Sequence, residues 1–551
     1  MSNNTPINGV SVPFGDVIRT VDESGVKTQV VALSGETDSG LLKLVPVTAE
    51  GHLEVAIHSP RLPFGEVSVE SMEPVFQSDA VYGINTYEQI TSTDGTSGTA
   101  TVASNLFSVG TGATTAGRFG SIQSRKRLRY RPGQGVVSRF TMLFGTPQTN
   151  NIQVVGIGTS ESTLAFGYNG TAFGILHSTD GVRCINTLTV SAGSSAEVNA
   201  TVTLNDVAFT VAVTIGNATQ TAYEISKGTY AGWTAVQRGA TVVFLANSVG
   251  VKSGTYTLSF ASGTGAGTFP GAPTLAGVAA DDTWIPQASW NGDVCDGTSS
   301  ASNPSGFNLN PLYGNVAQID VQYLGFGSIV FKIEASQAGN NPDFINVHTL
   351  RIPNSQITTS VSQPSFPFLM STYNTGTAGG TVTTKCGSFA GFIAGKKKLA
   401  GPRMSYFNTT AITSATASYT PIFTVRNDIT FASRANQTVI NLLSMGGATK
   451  GNANSVTSFY LIRNATLTAG APNFTAYATT SCSYVDVGAT ACTFATNDQV
   501  IWTGTVTQDG NFTFSFTDEI TLQPGETVTL AVRSVTATSA CVGQLNTRED
   551  Q

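Results

Sequence analysis

From Arg139 onward one pattern recurs: short runs rich in Val, Ile, Thr, Phe and Tyr, each closed by a turn signal. The runs 139–144, 152–157, 163–168 and 173–177 are separated by 147–151, 158–162, Asn169-Gly170 and beyond by Asp180-Gly181. Runs of about six residues at a spacing of about ten are too short for amphipathic helices and match antiparallel strands of a sandwich or jelly roll. Composition agrees. Charged residues are only 11% of the chain, against about a quarter in a typical globular protein, and that shortage starves long surface helices of Glu, Lys and Arg. With 40% hydrophobic residues the chain can still bury cores, so it is not a disordered polymer. The predicted class is all-β and multidomain, with jelly-roll or β-sandwich domains.

A chain of 551 residues exceeds what one core serves, and about two to four domains are expected. Residues 1–90 read as a thin N-terminal β segment with strands at 27–33 and 52–57, dependent on neighbouring chains for stability. Residues 91–117 are rich in Thr, Ser and Gly and read as a linker or extended arm. Residues 118–400 carry the strand rhythm, with further strands at 323–334 and 344–352. A change of pattern at about 191–268, including a helix-like piece at 221–239, predicts a small α+β domain inserted in a loop. Residues 401–551 read as a second sandwich whose charged end, Arg548 to Gln551, is expected to be exposed. Lys396 to Lys398 reads as a solvated junction.

A formal net charge of −6 gives no global attraction to nucleic acid, so a genome-binding role is disfavoured. No apolar run approaches the roughly 18 residues of a membrane span. The start of the chain lacks the basic and apolar regions of a signal peptide, which predicts synthesis in a cytoplasm without export. The one dense charge run, Arg125, Lys126, Arg127, Arg129 and Arg131, is read as a basic strand facing acidic surface on an adjacent subunit.

Chemistry-bearing groups are sparse, and neither cofactor nor metal is expected. Six cysteines lack any C-x-x-C spacing and are expected to be mainly free, with Cys482 and Cys492 the best bridge candidates. His52 and His58 sit six apart near a turn, and His177-Ser178-Thr179-Asp180 holds triad residue types in a spacing that cannot make triad geometry. Trp284, Trp290 and Asp293 combine aromatic rings with a carboxylate, the pairing a sugar site uses. They are the candidate glycan contacts, against the plainer reading of core plugs and turn caps. No catalytic residue is assigned.

Several segments together resemble uncharacterised virion structural proteins of tailed phages, with relatives in large algal viruses. They are Arg139-Phe140-Thr141-x-Leu143-Phe144, Val155-Gly156-Ile157-Gly158 and Phe166 to Thr171, then Trp284 to Gln287, Asn303 to Gly306, Tyr323 to Gly327, Phe344-Ile345-x-Val347-His348 and Arg548 to Gln551. The resemblance implies a place on a virus particle and no enzymatic activity. The expected role is a particle-surface component, a tail or baseplate adaptor, fibre or spike. The alternatives are a capsid-decorating protein or head fibre, or a glycan-binding receptor-recognition module. Expected partners are other virion proteins, further copies of the chain with a trimer favoured, and a host surface glycan. Anchoring is expected to reside before residue 118, so that removing 1–117 would leave a folded β-protein.

Overall fold

The computed structural model describes residues 4–6, 17–23, 26–29, 34–36, 42–44, 72–132, 134–335, 343–395, 400–451 and 455–550. Contacts divide the chain into two compact units, Met1–Val69 and Glu70–Gln551. In the first, Asn4–Pro6, Val17–Glu23 and Val26–Gln29 form an antiparallel sheet, and Ser34–Glu36 pairs with Leu42–Leu44. The predicted strand at 52–57, together with His52 and His58, lies outside the described residues, as does Lys396 to Lys398. The all-β class holds throughout: one α-helix occurs among the described residues, Ala218–Ser226.

The second unit begins with a sandwich. One sheet runs in the order Asp281–Pro286, Ala172–Thr179, Ser162–Asn169, Asn151–Thr159, Phe368–Asn374, Phe119–Ser124 and Gln89–Thr93. The other runs Asp343–Leu350, Ile329–Ala335, Asn315–Val321, Val136–Met142, Ser388–Ala394 and Met72–Asp79. Alternation along Phe119–Ser124 and at the end of Val136–Met142 sends every second side chain inward. Phe140, Phe331 and Phe389 thereby meet Ile122, Val155, Phe166 and Phe368 in one apolar core. The rings of Phe368 and Phe389 stack at 3.9 Å, and Phe166 meets Phe331 edge-on at 5.5 Å.

Two glycines explain how these strands close up. A Cβ on Gly156 would lie 2.2 Å from the Leu164 carbonyl oxygen, so only glycine permits this spacing between neighbouring strands. The hairpin predicted at Asn169-Gly170 forms with a shifted turn. Asn169 pairs with Ala172, and Gly170, at φ +62°, is the first central residue. That is the type II′ arrangement, not the type I′ turn an Asn-Gly pair suggests.

Residues 91–117, expected as an arm, contribute strands instead. Thr99–Ala103 and Leu106–Gly110 form a hairpin extended by Thr383–Cys386, and Phe107 and Val109 are fully buried in the sandwich core. Residues 323–334, expected as one strand, break at Tyr323 to Gly327. There Gly327 N donates to Tyr323 O, and Leu324 and Gly325 take positive φ.

Between Ala172–Thr179 and Asp281–Pro286 the chain leaves the sheet and returns to pair beside its point of departure, His177 opposite Thr283. The excursion builds a four-stranded sheet, Trp233–Arg238, Thr241–Val249, Arg183–Ala192 and Ala266–Thr268, and a three-stranded one, Val207–Val213, Val198–Leu204 and Tyr256–Phe260. Asn217 caps the helix Ala218–Ser226 by accepting from Gln220 N. The helix-like piece at 221–239 is thus this helix plus the strand Trp233–Arg238, separated at Gly232 by φ +81°.

The C-terminal part is a further sandwich. Arg403–Phe407, Ser539–Asp550, Val439–Gly451 and Asn511–Leu522 face Thr475–Ala476, Ser483–Asp486, Thr420–Asn427, Thr527–Ser534, Val456–Arg463 and Val500–Thr507. Phe423, Phe459, Leu461, Met445 and Leu545 lie in its core. The end expected to be exposed is a paired strand. Glu549 is fully buried and accepts from Ser481 Oγ and Cys482 N, because the register opposite Ile440 turns it inward. Gln551 lies outside the described residues. Apolar contacts join the insertion to this sandwich: Tyr223 packs with Ile462 and Leu467, and Val236 and Leu245 pack with Ile429.

Candidate functional site

The basic run sits at the seam between the first and C-terminal sandwiches. Leu128–Arg129 pairs with Ser365–Phe366, which sends Leu128 into the core and leaves the odd-numbered arginines on the opposite side. Arg125 pairs with Glu526, Arg131 with Asp550, and Arg127 NH1 donates to Gln437. Gln437 in turn donates to Glu161 at 2.8 Å, and Glu161 also receives Arg183 at 3.0 Å. Acceptors expected on an adjacent subunit are therefore supplied to Arg125, Arg127 and Arg131 by the chain's own C-terminal sandwich. Lys126 and Arg129 line the same seam.

The candidate glycan residues do not share a surface. Trp290 is buried, edge-on to Phe166 and Phe173 at 6.1 Å each. Asp293 is buried too and accepts from the backbone N–H groups of Cys295 and Ser305, both at 2.9 Å. One is a core plug and the other a turn cap, so neither can present itself to a sugar. Trp284 is half-buried, packed on Val154, Ala165 and Leu176 on the outer face of the sheet. Trp290→Ala is expected to destabilise the protein by about 3–5 kcal/mol through the cavity it leaves, read as a shifted urea midpoint.

The two described histidines are occupied as well. His177 Nε2 donates to Ser360 O at 2.6 Å. His348 Nδ1 accepts from Asn291 N, and burial, with Arg351 nearby, holds its pKa below the usual imidazole range. It is therefore neutral at pH 7. All six cysteines are free and buried. Cys482 and Cys492, the bridge candidates, pack in different apolar clusters, and burial pushes the Cys492 thiol up to about 12. Among the described residues no group of three or more His, Cys, Asp or Glu side chains could hold a metal ion, and no helix is long and apolar enough to cross a membrane.

Sequence reasoning missed a cleft of about 660 Å³ between the insertion and the C-terminal sandwich, lined by Arg238, Tyr484, Thr430, Ser433, Thr479 and Leu275 among others. Behind it Asp428, fully buried, accepts from Arg238 NH2 at 2.6 Å and Arg426 NH2 at 2.8 Å. The Arg238 guanidinium lies 4.7 Å from the Tyr484 ring centre, and that of Arg426 4.3 Å from Phe474. Burial opposes ionisation of Asp428, yet the two guanidiniums outweigh it and hold the carboxyl below the usual range. A guanidinium, a phenol ring and several hydroxyls can hold a polar ligand by hydrogen bonding. No linear signal pointed to this, since the lining comes from five separate stretches of chain.

No family model matches the sequence, and no curated protein matches it. Among solved structures, a GH43 glycoside hydrolase engineered to display both endo-xylanase and exo-arabinofuranosidase activity is 11% identical with a TM-score of 0.24. That match covers 68% of this chain and 51% of the hydrolase, so the chain spans about half the hydrolase's length. A lectin from Bauhinia forficata, in complex with GalNAc, is 7% identical over 59% of this chain and 98% of the lectin, with a TM-score of 0.19. At such scores neither likeness carries an argument about what this chain does.

Proposed function

We propose that the chain is a structural component of a virus particle, carried at the surface of a tailed phage as a tail or baseplate adaptor, fibre or spike. In this reading the unit Met1–Val69 attaches it to other virion proteins and Glu70–Gln551 is the projecting body, with further copies of the chain as partners. The observation that supports it most is the unequal build of the two units. The described strands of the first are three to seven residues long, whereas the second joins sandwich cores through apolar and ionic seams. A short-stranded unit gains stability by adding its edges to another chain, and a body with its own cores does not need to. The segments that carry the virion-like resemblance also supply core residues Phe140, Val155, Ile157 and Phe166, and so belong to the body's framework.

Deleting Met1–Val69 tests this, because the cut falls before the first strand of the sandwich. The truncated chain is expected to keep a β-type circular dichroism spectrum and a cooperative melt. It should also fall at least about tenfold in particle incorporation, since anchoring contacts worth more than about 1.4 kcal/mol are lost. Incorporation at normal copy number would sink the assignment of the anchor.

A further inference from the structure

The seam between the first and C-terminal sandwiches holds a partly open cavity of about 40 Å³. At roughly 10–15 Å³ for each water centre, it has room for about three waters or one compact ion. Its wall carries an unusual number of unsatisfied polar atoms. Arg127 Nε, Arg129 NH1, Ser365 Oγ, Asn441 Oδ1 and both amide atoms of Gln523 are buried without a hydrogen-bond partner, and all belong to residues that line it. Ser365, Asn441 and Gln523 are each more than nine-tenths buried. Native proteins leave few such groups, each costing about 1–3 kcal/mol, so this concentration at one cavity points to an occupant.

Charge narrows its chemistry. The described lining includes four cations, Lys126, Arg127, Arg129 and Arg131, against two carboxylates, Glu519 and Asp550, an excess of two positive charges. Burial, with Arg183 nearby, pulls Arg127 down to about 10 despite the opposing pull of Glu161, and burial lowers Arg129 as well. Water would satisfy the hydrogen bonds and leave the charge excess as it is; an anion answers both.

We propose that this cavity binds a single tetrahedral oxyanion of the phosphate type, which ties the basic strand of the first sandwich to the C-terminal sandwich. The guanidinium N–H groups, Ser365 Oγ and Gln523 Nε2 donate to its oxygens. A protonated oxygen of hydrogen phosphate donates to Asn441 Oδ1 or Gln523 Oε1, a bond that sulfate cannot make at neutral pH.

The test uses the whole chain dialysed free of oxyanions. Inorganic phosphate is expected to bind at one site per chain by titration calorimetry and to raise Tm saturably, by on the order of 2 °C at millimolar concentration. Sulfate should raise it less, and chloride at matched ionic strength not at all. Arg129→Gln should weaken phosphate binding more than about tenfold, removing a charge-assisted bond of about 1.5–3 kcal/mol. Should that variant fail to fold, Asn441→Asp, which sets a carboxylate against the anion, should do the same. A rise that chloride reproduces, or one that persists in whichever variant folds, would overturn the site and leave water as the occupant.

Discussion

Removal of residues 1–117 is expected to abolish folding of the first sandwich, where removal of Met1–Val69 alone leaves it intact. The larger deletion takes out Met72–Asp79, which pairs with Ser388–Ala394 at the sheet edge, and Gln89–Thr93, which pairs with Phe119–Ser124. It also removes the hairpin carrying Phe107 and Val109, and with it Val75 and Phe76 of the same core. Losing a large buried side chain costs about 2–5 kcal/mol, so four together match or exceed the roughly 5–15 kcal/mol by which a domain is stable. Differential scanning calorimetry of the two truncations should show a cooperative transition for the shorter deletion and none for this sandwich in the longer. Equal transitions in both would mean that the hairpin is dispensable.

The second large effect concerns Asp428. Its carboxylate pairs with both Arg426, which is almost wholly buried, and Arg238. Asp428→Ala leaves a buried guanidinium without a counter-charge and is expected to destabilise by about 3–5 kcal/mol. Asp428→Ala combined with Arg426→Met should recover part of that loss, since the unpaired cation goes with its partner; urea denaturation of the four members of the cycle measures the coupling. The same pair fixes a pH dependence. Because the folded carboxyl titrates below its unfolded value of about 3.9, its contribution is fully present above that pH and disappears as pH falls through the folded pKa. In the Asp428→Ala variant that part of the acid limb should flatten. An unchanged limb would show that Asp428 does not govern it.

Local patterns proved readable and distant partnerships did not. The strands Asn151–Thr159, Ser162–Asn169 and Ala172–Thr179 stand where the apolar runs and turn residues placed them, since a strand and its hairpin neighbour are specified within about twenty residues. The basic run was visible, but Glu526 and Asp550 lie 401 and 419 residues beyond the arginines they meet. Nothing in the run itself records such a separation. Thr99–Ala103 was hidden because Thr, Ser and Gly serve equally in a flexible arm and in a strand whose outward side chains meet solvent. The charged ending misled for another reason: Glu549 is buried against donors from Ser481 and Cys482, and satisfaction of a buried charge depends on tertiary register. Trp290 and Asp293 have the residue types of a sugar site, yet their loop directs both inward.

The strand order has a consequence for the sequence of events at the ribosome. Ser388–Ala394 lies between Val136–Met142 and Met72–Asp79 in its sheet, so the edge strand waits for a partner made about 300 residues later. At roughly 5–20 residues per second that is a delay of about 15–60 s, during which apolar strand edges are open to wrong pairing. The insertion differs. Arg183–Ala192 finds Thr241–Val249 and Ala266–Thr268 within its own stretch of chain, so the guest domain can close while its host is still incomplete. Its two ends meet where Val182 bridges Val278, so once closed it delivers Asp281–Pro286 beside the waiting edge of Ala172–Thr179 as soon as that strand emerges.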